Sequence, residues 1–197
     1  MSTTTTTQYV TLEEYERMVD EDVFGDRAPI ELLDGELVPK MTQKPPHCTS
    51  DDACGNELAR VLPTGWYIRA AKPVRLPPQD SEPEPDRCVA RGSRLDYETR
   101  HPGPPDIALV VEVSYRTLAQ DRGKKQKNYA TAGIPIYWII NIHERQVEVY
   151  TQPQPGIYGS RMDYKTGERF PVIIDGNLVG EIAVADVLPQ PTADDGE

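Results

Sequence analysis

The sequence predicts one mixed α/β domain built around a sheet, and three observations carry that prediction. Two apolar runs of strand length, residues 106–114 and 134–142, flank a stretch that reads as a helix, which is the pattern of a βαβ unit. Residues 146–151 then alternate, with Val147 and Val149 set among polar neighbours, as in a half-exposed strand. The length of 197 residues fits one domain with a real core and makes two compact domains a poor fit.

The elements follow in chain order. Thr11-Leu12-Glu13-Glu14 forms a capping box, and Leu12, Tyr15, Met18 and Val19 recur at helical spacing after it. Residues 30–33 and 36–38 read as a hairpin because Asp34-Gly35 supplies the positive φ values of a tight two-residue turn. A second helix spans 47–62, weakened by Gly55 and by a thin apolar stripe. Short strands are expected at 66–69, 72–76 and 86–90, the last two separated by a Pro- and acid-rich stretch. Residues 91–105 form a Gly/Pro-rich excursion before the buried strand. A helix over 116–132 is stopped by Gly133, with Pro135 just beyond. Further strands are expected near Ile157 and at 172–174. The domain is expected over 10–189, with residues 1–9 and 190–197 as disordered tails.

Composition limits the function classes. A hydrophobic fraction of 38%, without any apolar run near the roughly 20 residues of a membrane span, describes a protein that does not cross a bilayer through a helix. The threonine-rich start lacks the charged and apolar regions of a secretory signal, so a cytoplasmic location is the default expectation. Cys48, Cys54 and Cys88 are sparse, odd in number and free of CxxC spacing, which suits free thiols in a reducing compartment. A zinc site from His47, Cys48 and Cys54 lacks an evident fourth ligand.

The formal net charge of -11 argues against a uniform nucleic-acid-binding surface. The excess is confined to the ends: ten acids against Arg17 and Arg27 within residues 1–36, and Asp194, Asp195 and Glu197 in the tail. Residues 37–189 balance at 19 acids and 19 bases. Within them, Arg116, Arg122, Lys124, Lys125 and Lys127 face only Asp121, a local surplus that suits an anionic ligand or, more plainly, the solvated face of a helix.

Glu112 is the residue that does not belong. It stands in Asp106-Ile107-Ala108-Leu109-Val110-Val111-Glu112-Val113-Ser114, a run that reads as a strand buried on both faces. A carboxylate there costs several kcal/mol unless a metal, lysine or arginine compensates it. Two acids follow prolines upstream, and geometry separates them. Asp106 lies six residues before Glu112 on one strand, roughly 20 Å away at about 3.3 Å per residue, and reads as a strand-start residue. Asp86 lies on another strand and can approach Glu112 laterally.

These residues resemble a known family. Pro85-Asp86, Leu109 to Ser114, Asp121-Arg122-Gly123-Lys124-Lys125, Tyr129-Ala130 and Ala132 to Ile140 resemble the Uma-two family of "putative restriction endonucleases", itself similar in its core to the PD-(D/E)XK nuclease superfamily. Leu12 to Tyr15 and Glu31 to Leu37 match the family's usual start, so the resemblance covers roughly residues 10–189. It implies a restriction-endonuclease-like α+β core, a mixed central sheet flanked by helices, with metal-binding acids at Asp86 and Glu112. Ser114 stands where the superfamily has a lysine; the resemblance implies that Lys125 on the following helix replaces it and that Glu31 supplies a further acid.

The implied chemistry is phosphodiester hydrolysis. It needs a nucleophile made from water, relief of charge in the transition state and a stabilised leaving alkoxide. Asp86, Glu112 and the Val113 carbonyl would hold Mg²⁺ or Mn²⁺, and Lys125 would orient water or neutralise phosphate. DNA is the implied partner, and a homodimer is expected by analogy because one site cuts one strand. His47 could contact phosphate or bound water, Asp121 has an ion pair with Lys125 as its bland reading, and Trp66 and Trp138 read as core. The rival readings are a non-catalytic nucleic-acid-binding or interaction protein on the same fold, and a phosphoesterase acting on a smaller substrate.

Overall fold

The structure is a computed structural model, which describes residues 9–25 and 30–191. Most of the two expected tails, residues 1–8 and 192–197, lies outside the described residues.

Helix α1, Leu12–Asp20, begins with the expected reciprocal cap between Thr11 and Glu14 and buries Leu12 and Tyr15. Strands β1, Ile30–Leu33, and β2, Glu36–Pro39, form the expected hairpin, with φ of 53° at Asp34 and 71° at Gly35. Helix α2, Pro45–Val61, follows. Gly55 has a reason to interrupt it: a Cβ there would stand 2.9 Å from the Arg87 guanidinium, which pairs with Asp51 and ties the helix to the sheet.

The central sheet runs β3, Trp66–Ala70; β4, Arg87–Arg91; β5, Ile107–Ser114; β6, Ile136–Asn141; β7, Gln146–Gln154; β8, Ile157–Lys165, in that spatial order. Every pairing is antiparallel except β5 with β6. That one parallel pair is the βαβ unit expected from the two apolar runs. A second hairpin, β9, Arg169–Ile174, with β10, Asn177–Ala183, packs on one face of the sheet beside α2.

The two faces have separate cores. Val89, Leu109, Val111, Val113, Trp138 and Ile140 point to the α2 and β9–β10 side, where Trp138 meets Phe170 edge-on at 4.9 Å. Cys88, Ala90, Val110, Tyr137 and Ile139 point to the opposite side, against Tyr129 and Ala130. Glu112 shares the parity of Val110 and Ser114 and therefore belongs to this second face.

Three expectations need correction. Residues 72–76 form no strand: Pro73 lacks a donor for a continuous ladder, and the chain is held by single bonds from Val74 to Pro83 and Arg75 to Pro102 and by an isolated reciprocal bridge between Leu76 and Ser81. Strand β7 is not half-exposed at its start, since Gln146 to Tyr150 are all buried. The helix expected over 116–132 is not continuous. It consists of α3, Leu118–Gln120, a widened π-type turn over Asp121–Lys125, and α4, Gln126–Thr131.

Candidate active site

Glu31, Asp86, Glu112 and Lys125 come from four separate elements and line one cavity of about 240 Å³, together with Val113, Asp121 and His47. Glu31 is on β1. Asp86 immediately precedes β4, and the β4–β5 register, which pairs Arg87 with Val111, brings Asp86 beside Glu112. Lys125 closes the widened turn above them. All four are recessed, with exposures of 1% for Glu31, 4% for Asp86, 3% for Glu112 and 6% for Lys125.

The contacts define two halves. Lys125 Nζ donates to Glu112 Oε1 at 3.0 Å and lies 3.4 Å from Glu31 Oε1, while the Tyr129 hydroxyl donates to the same Glu112 oxygen at 2.8 Å. Glu31 Oε1 also accepts from the Glu84 amide at 2.8 Å, which fixes the hairpin against the segment leading to Asp86. On the other side, Asp86 Oδ2 accepts from the Val113 amide at 2.8 Å and lies 3.1 Å from His47 Nε2. Val113 thus touches the site through its main chain, its side chain being packed in the opposite core.

The electrostatics are unbalanced. Four carboxylates, Glu31, Asp86, Glu112 and Asp121, surround one ammonium. Burial pushes Glu112 up to about 8, with Asp86, Asp121 and Glu31 adding to the rise and Lys125 opposing it. Burial alone would lower Lys125, but the surrounding carboxylates outweigh it and hold the amine above its ordinary value. Asp86 is held below the usual carboxylate range, because His47, Lys125 and the Val113 amide overcome the cost of its burial. Asp121, pushed up to about 6 by burial, accepts from the Thr117 hydroxyl at 2.6 Å. The Asp121–Lys125 ion pair, the bland alternative for both residues, is not formed among the described residues.

A divalent cation fits this donor set. No group of three or more His, Cys, Asp or Glu side chains among the described residues is arranged to grip a metal by itself. Mg²⁺, however, takes one or two carboxylates and fills its remaining positions with water and phosphate oxygens. Hard oxygen donors in a negatively unbalanced recess meet that requirement. The zinc alternative does not, since Cys54 is buried in the core and Cys48 is exposed.

His47 is the site residue that sequence reasoning left at the margin. Its only signal was its place at the start of α2, and a single histidine there carries no spacing information. Asp106 lies away from the cavity, in a bidentate pair with Arg100. Trp66 packs half-buried under Arg91 at 4.4 Å and takes no part.

The fold built on this six-strand mixed sheet is seen in a solved structure. The crystal structure of a "putative nuclease belonging to DUF820" from Anabaena variabilis has the same fold: it is 16% identical, aligns over 90% of this chain and 97% of that one, and gives a TM-score of 0.64. The chain belongs to the Uma2 family, described as "putative restriction endonuclease", whose model matches residues 12–174. No curated protein matches. Among the described residues no helix is long and apolar enough to cross a membrane.

Proposed function

We propose that this chain is a divalent-metal-dependent endonuclease that hydrolyses phosphodiester bonds of DNA. The observation that carries the reading is the convergence of Glu31, Asp86, Glu112 and Lys125 in one recess, with more carboxylate charge than Lys125 neutralises. Asp86, Glu112 and the Val113 carbonyl would hold Mg²⁺ or Mn²⁺, which when bound supplies an activated water and charge relief for the phosphate.

The chain's own residues do the rest. Lys125, kept protonated by its carboxylate neighbours, places a fixed positive charge where the non-bridging oxygens of a phosphate would enter. Tyr129 fixes the orientation of Glu112, and the Val113 amide fixes that of Asp86. Glu31 holds the Lys125 amine from the far side. The low exposure of these groups strengthens each of these interactions.

The test is cleavage of a duplex plasmid and of a single-stranded DNA circle in Mg²⁺ or Mn²⁺ by wild type, Glu112→Gln and Lys125→Ala. Wild type is expected to cut at least one of the two substrates, and each variant to lose at least about 100-fold in rate. Equal cleavage by all three, or no cleavage of either substrate by wild type at high concentration, overturns the reading. A homodimer in the cytoplasm is part of the same proposal, and sedimentation checks the oligomeric state.

A further inference from the structure

The basic surplus on the helix following β5 is spent inside the fold. Lys124 pairs with Glu36, Lys127 with Asp34, Arg122 with Glu148 and Glu144, and Lys125 with Glu112 and Glu31. Lys40 at the cavity is held by Glu84. Of the cations lining the cavity, Lys44 and Arg116 are the two with no carboxylate within 4.0 Å among the described residues, and both are exposed. The mouth therefore offers two exposed positive charges outside any ion pair among the described residues, not a long basic track.

An aromatic pair stands beside them. Tyr115, the first residue after the Glu112 strand, lines the cavity half-buried and stacks on exposed His143, with ring centroids 4.8 Å apart and planes 12° from parallel. The Arg116 guanidinium sits over the Tyr115 ring at 5.7 Å. Stacked aromatic rings flanked by arginine are what an unpaired base seeks, at about 1–3 kcal/mol per base. A paired base has no face to offer them.

The depth of the recess favours a flexible strand. The reacting groups are at most 6% exposed, at the bottom of about 240 Å³ between residues 39–44 on one side and 115–120 on the other. Duplex DNA is stiff, with a persistence length of about 150 base pairs, so a flexible single strand follows the rim down to these groups at a lower cost of deformation.

We propose that the site takes a single strand of DNA, its scissile phosphate entering between Lys44 and Arg116 while the adjacent base stacks on the Tyr115–His143 pair. This names the substrate of the nuclease reading above and rests on it. The experiment is equilibrium binding, in EDTA so that nothing is cut, of a short labelled DNA strand, the same strand annealed to its complement, and an RNA strand of the same sequence. The DNA strand is expected to bind at least about fivefold tighter than the duplex. Its log affinity is expected to fall with log salt at a slope of about −1.4, the value for two phosphate contacts on a single strand. His143→Ala and Tyr115→Leu should each weaken strand binding by about fivefold or more and leave duplex binding unchanged.

Duplex binding as tight as strand binding, a slope steeper than about −4, full strand affinity in both variants, tighter binding of RNA, or no binding at all would each overturn the proposal. Adding Mg²⁺ afterwards separates the two claims. A strand bound as expected but never cut removes the nuclease reading and leaves the binding site, whereas cutting with duplex preference removes the single-strand proposal alone.

Discussion

Two buried glutamates lie in one row of the sheet with Ile139 between them. Glu112 on β5 pairs across to Ile139, and Ile139 pairs across to Glu148 on β7, so all three face the same side about 5 Å apart per strand. Both acids take a cation from the same helical segment. Glu148 is saturated: Arg122 donates to both of its oxygens, Asn141 and Tyr150 donate at 2.9 and 2.7 Å, and Arg161 lies at 3.4 Å. Burial disfavours its charge, yet these donors outweigh burial and hold its carboxyl below the usual range. Glu112 receives Lys125 and Tyr129 on one oxygen, shares its cation with three other acids and is raised to about 8. The contrast teaches that burial of an acid is not the functional signal. The shortage of compensating charge is.

The largest expected effect breaks that contrast directly. Glu148→Ala leaves Asn141, Tyr150 and two arginines without their shared acceptor, so unfolding stability should fall by about 3–5 kcal/mol in metal-free buffer. Glu112→Gln removes one surplus carboxylate, keeps the side-chain volume and leaves Lys125 with Glu31, so stability should change by less than about 1 kcal/mol. Urea denaturation of both variants measures this. Equal losses would mean that Glu112 is a structural partner of Lys125, no less than Glu148 is of Arg122.

A second effect sharpens the same contrast through the missing charge. If the shortage at Glu112 is met by a divalent cation, saturating Mg²⁺ should stabilise wild type by about 2.7 kcal/mol at 100 times its dissociation constant. The shift should persist in Glu148→Gln and disappear in Glu112→Gln. Differential scanning calorimetry with and without Mg²⁺ reads it without any substrate. A shift of the same size in Glu112→Gln places the ion elsewhere.

The sequence made half of this legible. Glu112 announced itself because a carboxylate inside an apolar run has no packing reason to be there, whereas Asp86 rested on the family resemblance, with strand geometry preferring it to Asp106. Glu148 did not, because Gln146-Val147-Glu148-Val149 alternates like any half-exposed strand; only Arg122 from another element converts it into a buried acid. The widened turn was invisible for a related reason. In an unbroken helix Leu118, Arg122, Lys125 and Tyr129 share a face, but the turn over Asp121–Lys125 shifts the phase by one residue. Asp121 is thereby buried at the site and Arg122 is released towards Glu148. Hydrophobic periodicity cannot register such a shift when the residues around it are Asp, Arg, Gly and Lys. The β9–β10 hairpin carried the same signal as the first, Asp175-Gly176 with φ of 54° and 77°, yet only its first strand was expected.

A third glutamate isolates burial from the chemistry of the recess. Glu82 is 4% exposed and does not line the recess, with Oε2 unpartnered among the described residues and Oε1 4.0 Å from His101 Nε2. Burial pushes it up to about 7, Glu16 and Glu84 add to the rise, and Arg75 works against it. The folded state therefore holds its proton to a higher pH than the unfolded chain, whose carboxyl titrates near 4.5. The stability cost of the anion is full above pH 7, shrinks between about 7 and 4.5, and is absent below. Glu82→Gln should accordingly gain about 2–3 kcal/mol over wild type at pH 8 and almost nothing at pH 4.5, because only at the higher pH does wild type bury an uncompensated charge. Urea midpoints of the two proteins across that range decide it. A constant difference would show that Glu82 is compensated by groups such as His101 and Arg75. The imbalance at Glu112 would then have to be ascribed to the acids crowded around it and not to burial in this fold as such.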